Sequence, residues 1–418
     1  MIIIYRLLLA LLLPAIIVIY LREALKNQRR MYRFGEYFGI TPKTTPNTRP
    51  LWIHAVSVGE SLAAIPLIKA IKAQTPEQLI VVTTTTSTGA EQIEKLGELV
   101  EHRYMPIDFS FAVRSFIRTI NPAKMLIIET ELWPNTLTTV REANIPIIVV
   151  NARLSEKSQR NYAKVQPLFN RIHPCFSKVL CQSQVDADRF AKLGVSSDKL
   201  VVTGSIKFDI SISDEIKRQG SELRAQLGQS RPVWIAASTH KGEDEQVLDA
   251  HKQVLETHPN ALLILVPRHP ERFDSVFELC QTQGFETERR TQTNTFVDSA
   301  QVYLGDTMGE MLVLLGAADV CFMGGSLVGD KVGGHNVLEP AALGIPVITG
   351  PSFFNFKEIT MELQQANGII ISEHTDIAQN VTRLLSSQIM RKTIADSAIA
   401  VVLRNQGSLN ATLQIITD

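Results

Sequence analysis

Apolar and polar positions divide the chain into three stretches. From Ile2 to Leu21 nearly every residue is apolar, with only Arg6 and Pro14 interrupting the run. That is close to the ~20 residues a membrane-spanning helix needs. Beyond Pro50 the pattern becomes short apolar run, turn, amphipathic stretch, repeated. Leu51–Val56, Leu79–Thr84, Met125–Glu129, Pro146–Val150, Val179–Gln182 and Leu200–Thr203 read as strands. Leu62–Ala73, a segment from about Gly89, Asp108–Ile120 and Val185–Leu193 read as helices. A polar helical stretch, Ser213–Leu227, breaks the alternation. It restarts with strands at Val233–Ala237, Ala261–Val266, Val302–Leu304, Asp319–Met323 and Ile345–Thr349, and the chain is helical from about Asp376.

Strands alternating with helices imply parallel sheets covered on both faces. The expected architecture is α/β, with two Rossmann-like domains whose facing sheets enclose a cleft. The expected boundaries are an anchor helix over 1–21, a basic juxtamembrane segment over 22–50, a first domain over 51–210, a hinge over 211–230 and a second domain over 231–418. Ligands in such sheets bind at the carboxyl ends of the strands.

Composition sharpens this in one place. The chain has 418 residues and 42 basic against 42 acidic side chains. Zero net charge argues against bulk nucleic-acid binding. Up to Pro50, however, eight basic residues oppose two acidic ones, so this part carries +6 and the remainder −6. The cluster Arg22, Lys26, Arg29, Arg30 and Arg33 comes directly after the apolar run. A basic flank there places the remainder of the chain on the cytoplasmic side. Cys175, Cys181, Cys280 and Cys321 have neither disulfide nor zinc spacing and read as reduced thiols.

The candidate chemistry sits where strands end. His54-Ala55-Val56-Ser57-Val58-Gly59-Glu60 places a carboxylate in the loop or first helical turn after the first strand. Such a carboxylate can act as a general base, or merely complement the helix dipole. Glu129-Thr130-Glu131-Leu132-Trp133-Pro134-Asn135 comes after another strand, and Lys207 lies just beyond the last strand of the first domain. A lysine there can stabilise anionic groups. In the second domain the strand ends carry Ser238–Glu243, Pro267-Arg268-His269, Gly305–Met311 with Met308, Gly309 and Glu310, Gly324–Leu327, and Gly333–Pro340 with Asn336, Val337, Leu338 and Glu339. Glycine turns and helix starts suit phosphate, Arg268 can pair with it, and Glu339 suits ribose hydroxyls. The NAD fingerprint, the P-loop, zinc spacing and the serine-hydrolase elbow are missing from the sequence.

On these residues the chain resembles the 3-deoxy-D-manno-octulosonic acid (Kdo) transferases, which modify lipid A in lipopolysaccharide biosynthesis. The runs that carry the likeness are His54–Pro66, Glu129–Asn135, Asn151–Ser155, Gly204–Asp209, Pro267–Phe273 and Gly324–Pro340. The resemblance implies a GT-B glycosyltransferase at the inner membrane with its domains in the cytoplasm. It implies a first domain that binds the lipid A precursor and a second that binds CMP-Kdo. Glu60 is then the base of an inverting transfer, and Glu129 and Lys207 steady the transition state. Donor contacts fall to Pro267, Arg268, His269, Met308, Gly309, Glu310, Asn336, Val337, Leu338 and Glu339. No cofactor, metal or nucleic acid is implied, and protein partners stay open; CMP-Kdo is a substrate. A basic stretch with Arg153, Lys157, Arg160, Lys164, Arg171 and Lys178 suits a phosphorylated acceptor. A nucleotide-sugar epimerase and a non-catalytic nucleotide-sugar-binding protein are the competing readings.

Overall fold

The computed structural model describes residues 1–26, 31–45, 48–292 and 297–417. Arg29 and Arg30 of the basic cluster lie outside the described residues. The chain forms two compact units, Met1–Asp209 with Gln406–Asp418, and Ile210–Asn405.

The first unit is built on seven parallel strands: β1 (Leu51–His54), β2 (Ile80–Thr84), β3 (Glu101–Tyr104), β4 (Lys124–Ile128), β5 (Ile147–Ala152), β6 (Phe176–Cys181) and β7 (Leu200–Val202). Their order is β3-β2-β1-β4-β5-β6-β7. The central strands are wholly buried because helices cover both faces, which is why they read as continuous apolar runs. The order reverses between β1 and β4, and a crevice at their carboxyl ends is the expected ligand position.

The second unit repeats the plan with β8 (Val233–Thr239), β9 (Leu262–Pro267), β10 (Thr287–Arg289), β11 (Val302–Leu304), β12 (Val320–Met323), β13 (Val347–Thr349) and β14 (Ile369–Ile371). Their order is β10-β11-β9-β8-β12-β13-β14, reversing between β8 and β12. Each sheet has its own buried cores, one centred on Trp52 and Phe116, another on Trp234 and Phe322.

Two segments differ from the expected division. Residues 211–230 are not an open hinge: helix Asp214–Leu227 belongs to the second unit, where Gly220 packs on Gly316 and Arg224 pairs with Asp319 at 3.0 Å. The last helix, Ser408–Thr417, belongs to the first unit and not the second. Leu413 and Ile416 enter the core beneath helix Val58–Gln74, and the Asp209 carboxylate accepts from the Gly407 and Leu409 amides at 2.7 Å each. The chain therefore passes between the units twice. All four cysteines are buried and free.

Candidate active site

The first unit gathers its chemistry at its reversal point. β1 ends at His54, and the helix Val58–Gln74 begins four residues later. Glu60 occupies the first turn and is only 7% exposed. Its carboxylate accepts from the Val56 amide at 2.6 Å and from the Ser57 hydroxyl at 2.9 Å. Burial pushes its pKa up to about 7; the Val56 hydrogen bond opposes the shift, and Glu131 and Glu129 add to it. A carboxyl balanced near neutrality is suited to take a proton from a hydroxyl. His54 is fully buried beside Thr83, and burial drives its pKa down to about 4, so it is a neutral structural imidazole.

The facing loop comes after β4. Glu129 adopts φ +61°, a left-handed conformation that costs a non-glycine residue about 1 kcal/mol or more and concentrates at functional sites. Its Oε1 lies 2.9 Å from Lys207 Nζ. Glu131 has its pKa raised by burial and, in smaller part, by Glu129. Sequence order separates Glu129 and Lys207 by three strands. Asn151 at the end of β5 closes the gap: its side-chain oxygen accepts from the Ile206 amide at 3.2 Å, and its own φ is +56°. The sequence reading named no role for Asn151. It stood only within the Asn151–Ser155 run that carries the family likeness, and its contact with Ile206, fifty-five residues along the chain, has no local signal. The loop is anchored at its far end too, where Asp108 accepts from the Asn135 and Thr136 amides at 3.1 and 2.6 Å and so caps helix Pro134–Glu142.

The basic stretch proves to be surface. Helix Glu156–Lys164 buries no residue, and Arg160 pairs with Glu156. Lys178 donates to the Asp198 carbonyl at 2.8 Å.

In the second unit the reversal point is held by a residue that sequence reasoning left among backbone donors. Glu243 is fully buried, and its two oxygens accept from the amides of His240, Gly325, Ser326 and Leu327 at 2.7–2.9 Å. This overturns one expectation. Three amides of the Gly324–Leu327 turn are committed to a carboxylate of the protein and are not presented to a phosphate. Ser238, at φ +58°, lies where the register between β8 and β9 shifts, just before this loop.

Arg268 and His269 lead from the buried Pro267 into solvent at the end of β9. His240 stacks on His335 with 2.8 Å between their Nε2 atoms, and His269 meets His240 edge-on. Burial first, and then neighbouring imidazoles and Arg268, drive His335 down to about 3 and His240 to about 4. Both are neutral, and one donates to the other. Glu339 accepts from the Asn336 amide group at 3.1 Å; burial raises its pKa, and Arg268 acts the other way. Arg268, the histidines, Asn336 and Glu339 therefore share one region. Val337 and Leu338 turn their side chains into the core, so only their backbone remains for a ligand. Met308 is exposed, Gly309 has φ +87°, and Glu310 is held by Arg290 at 3.0 Å, which lowers its pKa. No contact of that loop with the Arg268 group is among the described hydrogen bonds and ion pairs. Among the described residues, no cluster of three or more His, Cys, Asp or Glu side chains is placed to hold a metal.

Comparison with known proteins decides between chemistries that this fold supports. Residues 32–210 match the family described as 3-deoxy-D-manno-octulosonic-acid transferase (kdotransferase), and residues 236–401 match glycosyl transferases group 1. The chain is 39% identical to a 3-deoxy-D-manno-octulosonic acid transferase of Haemophilus influenzae, over 94% of this chain and 92% of that one. The chain belongs to the Kdo transferase family. A Bordetella pertussis member is 33% identical over 92% of this chain and 90% of its own length. Among solved structures, a Rickettsia africae glycosyltransferase superposes with TM-score 0.54 at 15% identity, covering 88% of this chain and 98% of that one. A Neisseria meningitidis UDP-GlcNAc 2-epimerase gives 0.52 at 13%, covering 89% and 100%. These two show the GT-B fold alone. That fold also serves epimerases, so the family membership is what sets that alternative aside.

Proposed function

We propose that this glycosyltransferase moves Kdo from CMP-Kdo to a lipid A precursor with inversion, and that Glu60 is its general base. The observation that carries the base assignment is the buried Glu60 carboxyl, titrating at about 7 and oriented by Val56 and Ser57. Deprotonated, it takes the proton of the acceptor hydroxyl as the oxygen attacks the anomeric carbon. The C–O bond to the phosphate of CMP breaks, and the phosphate leaves already anionic, so little leaving-group acid is needed. Lys207 offers a cation beside Glu129, and this pair steadies charge as it develops.

The donor reading rests on the second unit. Arg268 supplies the exposed cation for the phosphate, and the Asn336–Glu339 carboxyl accepts ribose hydroxyls. The neutral His240–His335 pair and Pro267, His269 and the backbone of Val337 and Leu338 frame the nucleotide. Met308, Gly309 and Glu310 form a separate edge of the site, braced by Arg290. No resident metal or cofactor takes part. The exposed cations Lys157, Arg160 and Lys164 serve the acceptor phosphates.

The chain is anchored to the inner membrane by its N-terminal helix, with both units on the cytoplasmic side. Among the described residues one helical stretch, Ile2–Arg22, is long and apolar enough to cross a membrane.

The test is Glu60→Gln. Labelled lipid A precursor should no longer become more polar with CMP-Kdo supplied, while CMP binding measured by calorimetry is unchanged. Retained turnover would remove Glu60 from the role, and parallel loss of CMP binding would reassign it to structure.

A further inference from the structure

The N-terminal helix Ile2–Lys26 is not held to the first unit only at its end. Near its start, the Tyr5 hydroxyl donates to Asp108 at 2.7 Å and Arg6 Nε donates to Asn135 at 2.8 Å. Further along, Leu13, Ile16 and Tyr20 pack on a core cluster containing Tyr37, Tyr104 and Ala112. Tyr20 meets the Tyr37 ring at 4.4 Å between centroids. Positions 2, 5, 9, 13, 16, 17, 20 and 21 are the sheltered ones, at the spacing of one helical face, and the contacts named above run from 5 to 20. At 1.5 Å per residue, roughly 22 Å of helix lies along the protein. The opposite face is apolar and exposed, with Ile4, Leu7, Leu8, Leu11 and Ile19 each more than half exposed.

These contacts are incompatible with crossing a bilayer. If Arg22 stood at the cytoplasmic interface and the helix crossed, Arg6 would lie about 24 Å deeper. Asp108, Asn135 and the carboxyl ends of the first sheet would have to go with it, into hydrocarbon that does not tolerate irregular, polar backbone. Resting on that membrane reading, we infer that the helix lies in the plane of an anionic lipid surface, its outer face sunk into the headgroup boundary and its inner face on the first unit. The charge pattern fits that occupant. Ile2–Arg22 carries no acidic residue, and Arg22 is exposed at its end. Helix Ser110–Ile120, whose Ala112 lies under the N-terminal helix, exposes Phe111, Arg114 and Arg118. An apolar stripe bordered by arginines and an aromatic ring is how an interfacial helix is recognised. The same tether joins the lipid surface to the Glu129–Asn135 loop, because Asp108 and Asn135 are also its anchors.

The test uses the full chain on vesicles of phosphatidylcholine with phosphatidylglycerol. The four native cysteines are buried, so Ile3→Cys, Leu11→Cys and Ile19→Cys can each carry a bimane probe. Flotation on the vesicles, with bromolipid quenching that places all three probes at one shallow depth within about twofold in quenching ratio, is the expected result. Leu11 deepest with the two ends shallow, as in a spanning helix, would overturn the in-plane inference and leave the anchor standing. No flotation, with a dimer by sedimentation, would overturn both and give the stripe to a second copy.

Discussion

Replacing Glu60 by Gln should stabilise the protein at alkaline pH while stopping its chemistry. In the folded chain this carboxyl titrates at about 7, against an ordinary 4.5, because it is buried. The fold thus favours the neutral acid. A raised carboxyl pKa contributes stability that is fully present below pH 4.5 and is lost as the pH rises through 7. The interval corresponds to roughly 3 kcal/mol well above pH 7. Glutamine is neutral throughout, and its carbonyl oxygen can still accept from the Val56 amide. At roughly 2–4 °C per kcal/mol for a unit of this size, the variant should melt about 5–10 °C higher than the parent near pH 8.5 and within a degree or so of it near pH 4. Scanning fluorimetry at several pH values measures the gap. In parallel, kcat/KM of the parent should rise with pH through a midpoint of about 7. A melting gap that does not change with pH, or a variant less stable at alkaline pH, would refute the assignment of Glu60 as a buried, reluctantly ionised base.

Other residues carry separate expectations. Glu129→Gly relieves the φ +61° strain and should cost no stability in thermal melts, while turnover falls by about 10²-fold or more; a stability loss above about 2 kcal/mol would mean the side chain holds the fold. Glu243→Ala strips the acceptor from four amides and should destabilise the second unit by about 3 kcal/mol or more and abolish CMP binding by calorimetry; intact binding would contradict its organising role. Leu413→Ala and Ile416→Ala, both in the last helix, should each cost about 2–4 kcal/mol in chemical denaturation of the first unit; if the second unit loses stability instead, the terminal helix is misassigned.

Central strands were legible in the sequence because burial on both faces makes them continuous apolar runs; β1, β4, β5, β8 and β9 fall within a few residues of expectation. The three strands that were not foreseen, Glu101–Tyr104, Thr287–Arg289 and Ile369–Ile371, all lie at sheet edges. There a strand is three or four residues long and half-solvated; Glu101–Tyr104 and Thr287–Arg289 lack the apolar signature, and Ile369–Ile371 is apolar but only three residues long. Glu60 was legible because a carboxylate one turn past a strand end has few positions open to it. Its pKa was not, since that depends first on burial in the folded unit and then on groups such as Glu131 arriving from another loop. Glu243 looked like one acid in a polar loop, and its four donors come from two turns more than eighty residues apart. The N-terminal helix gave no hint of which face would dock, because leucine and isoleucine surround it on every side. The reach of Ser408–Thr417 back to the first unit is a long-range choice that local pattern does not encode.

The central claim is inverting transfer of Kdo. Its most direct test is NMR of the product formed by the purified chain from CMP-Kdo carbon-13-labelled at the anomeric centre, with lipid A precursor as acceptor. The account predicts a Kdo-bearing lipid whose anomeric configuration is opposite to that of the donor. Label that stays in CMP-Kdo or appears only as free sugar, or a glycolipid with the donor's configuration, would contradict it.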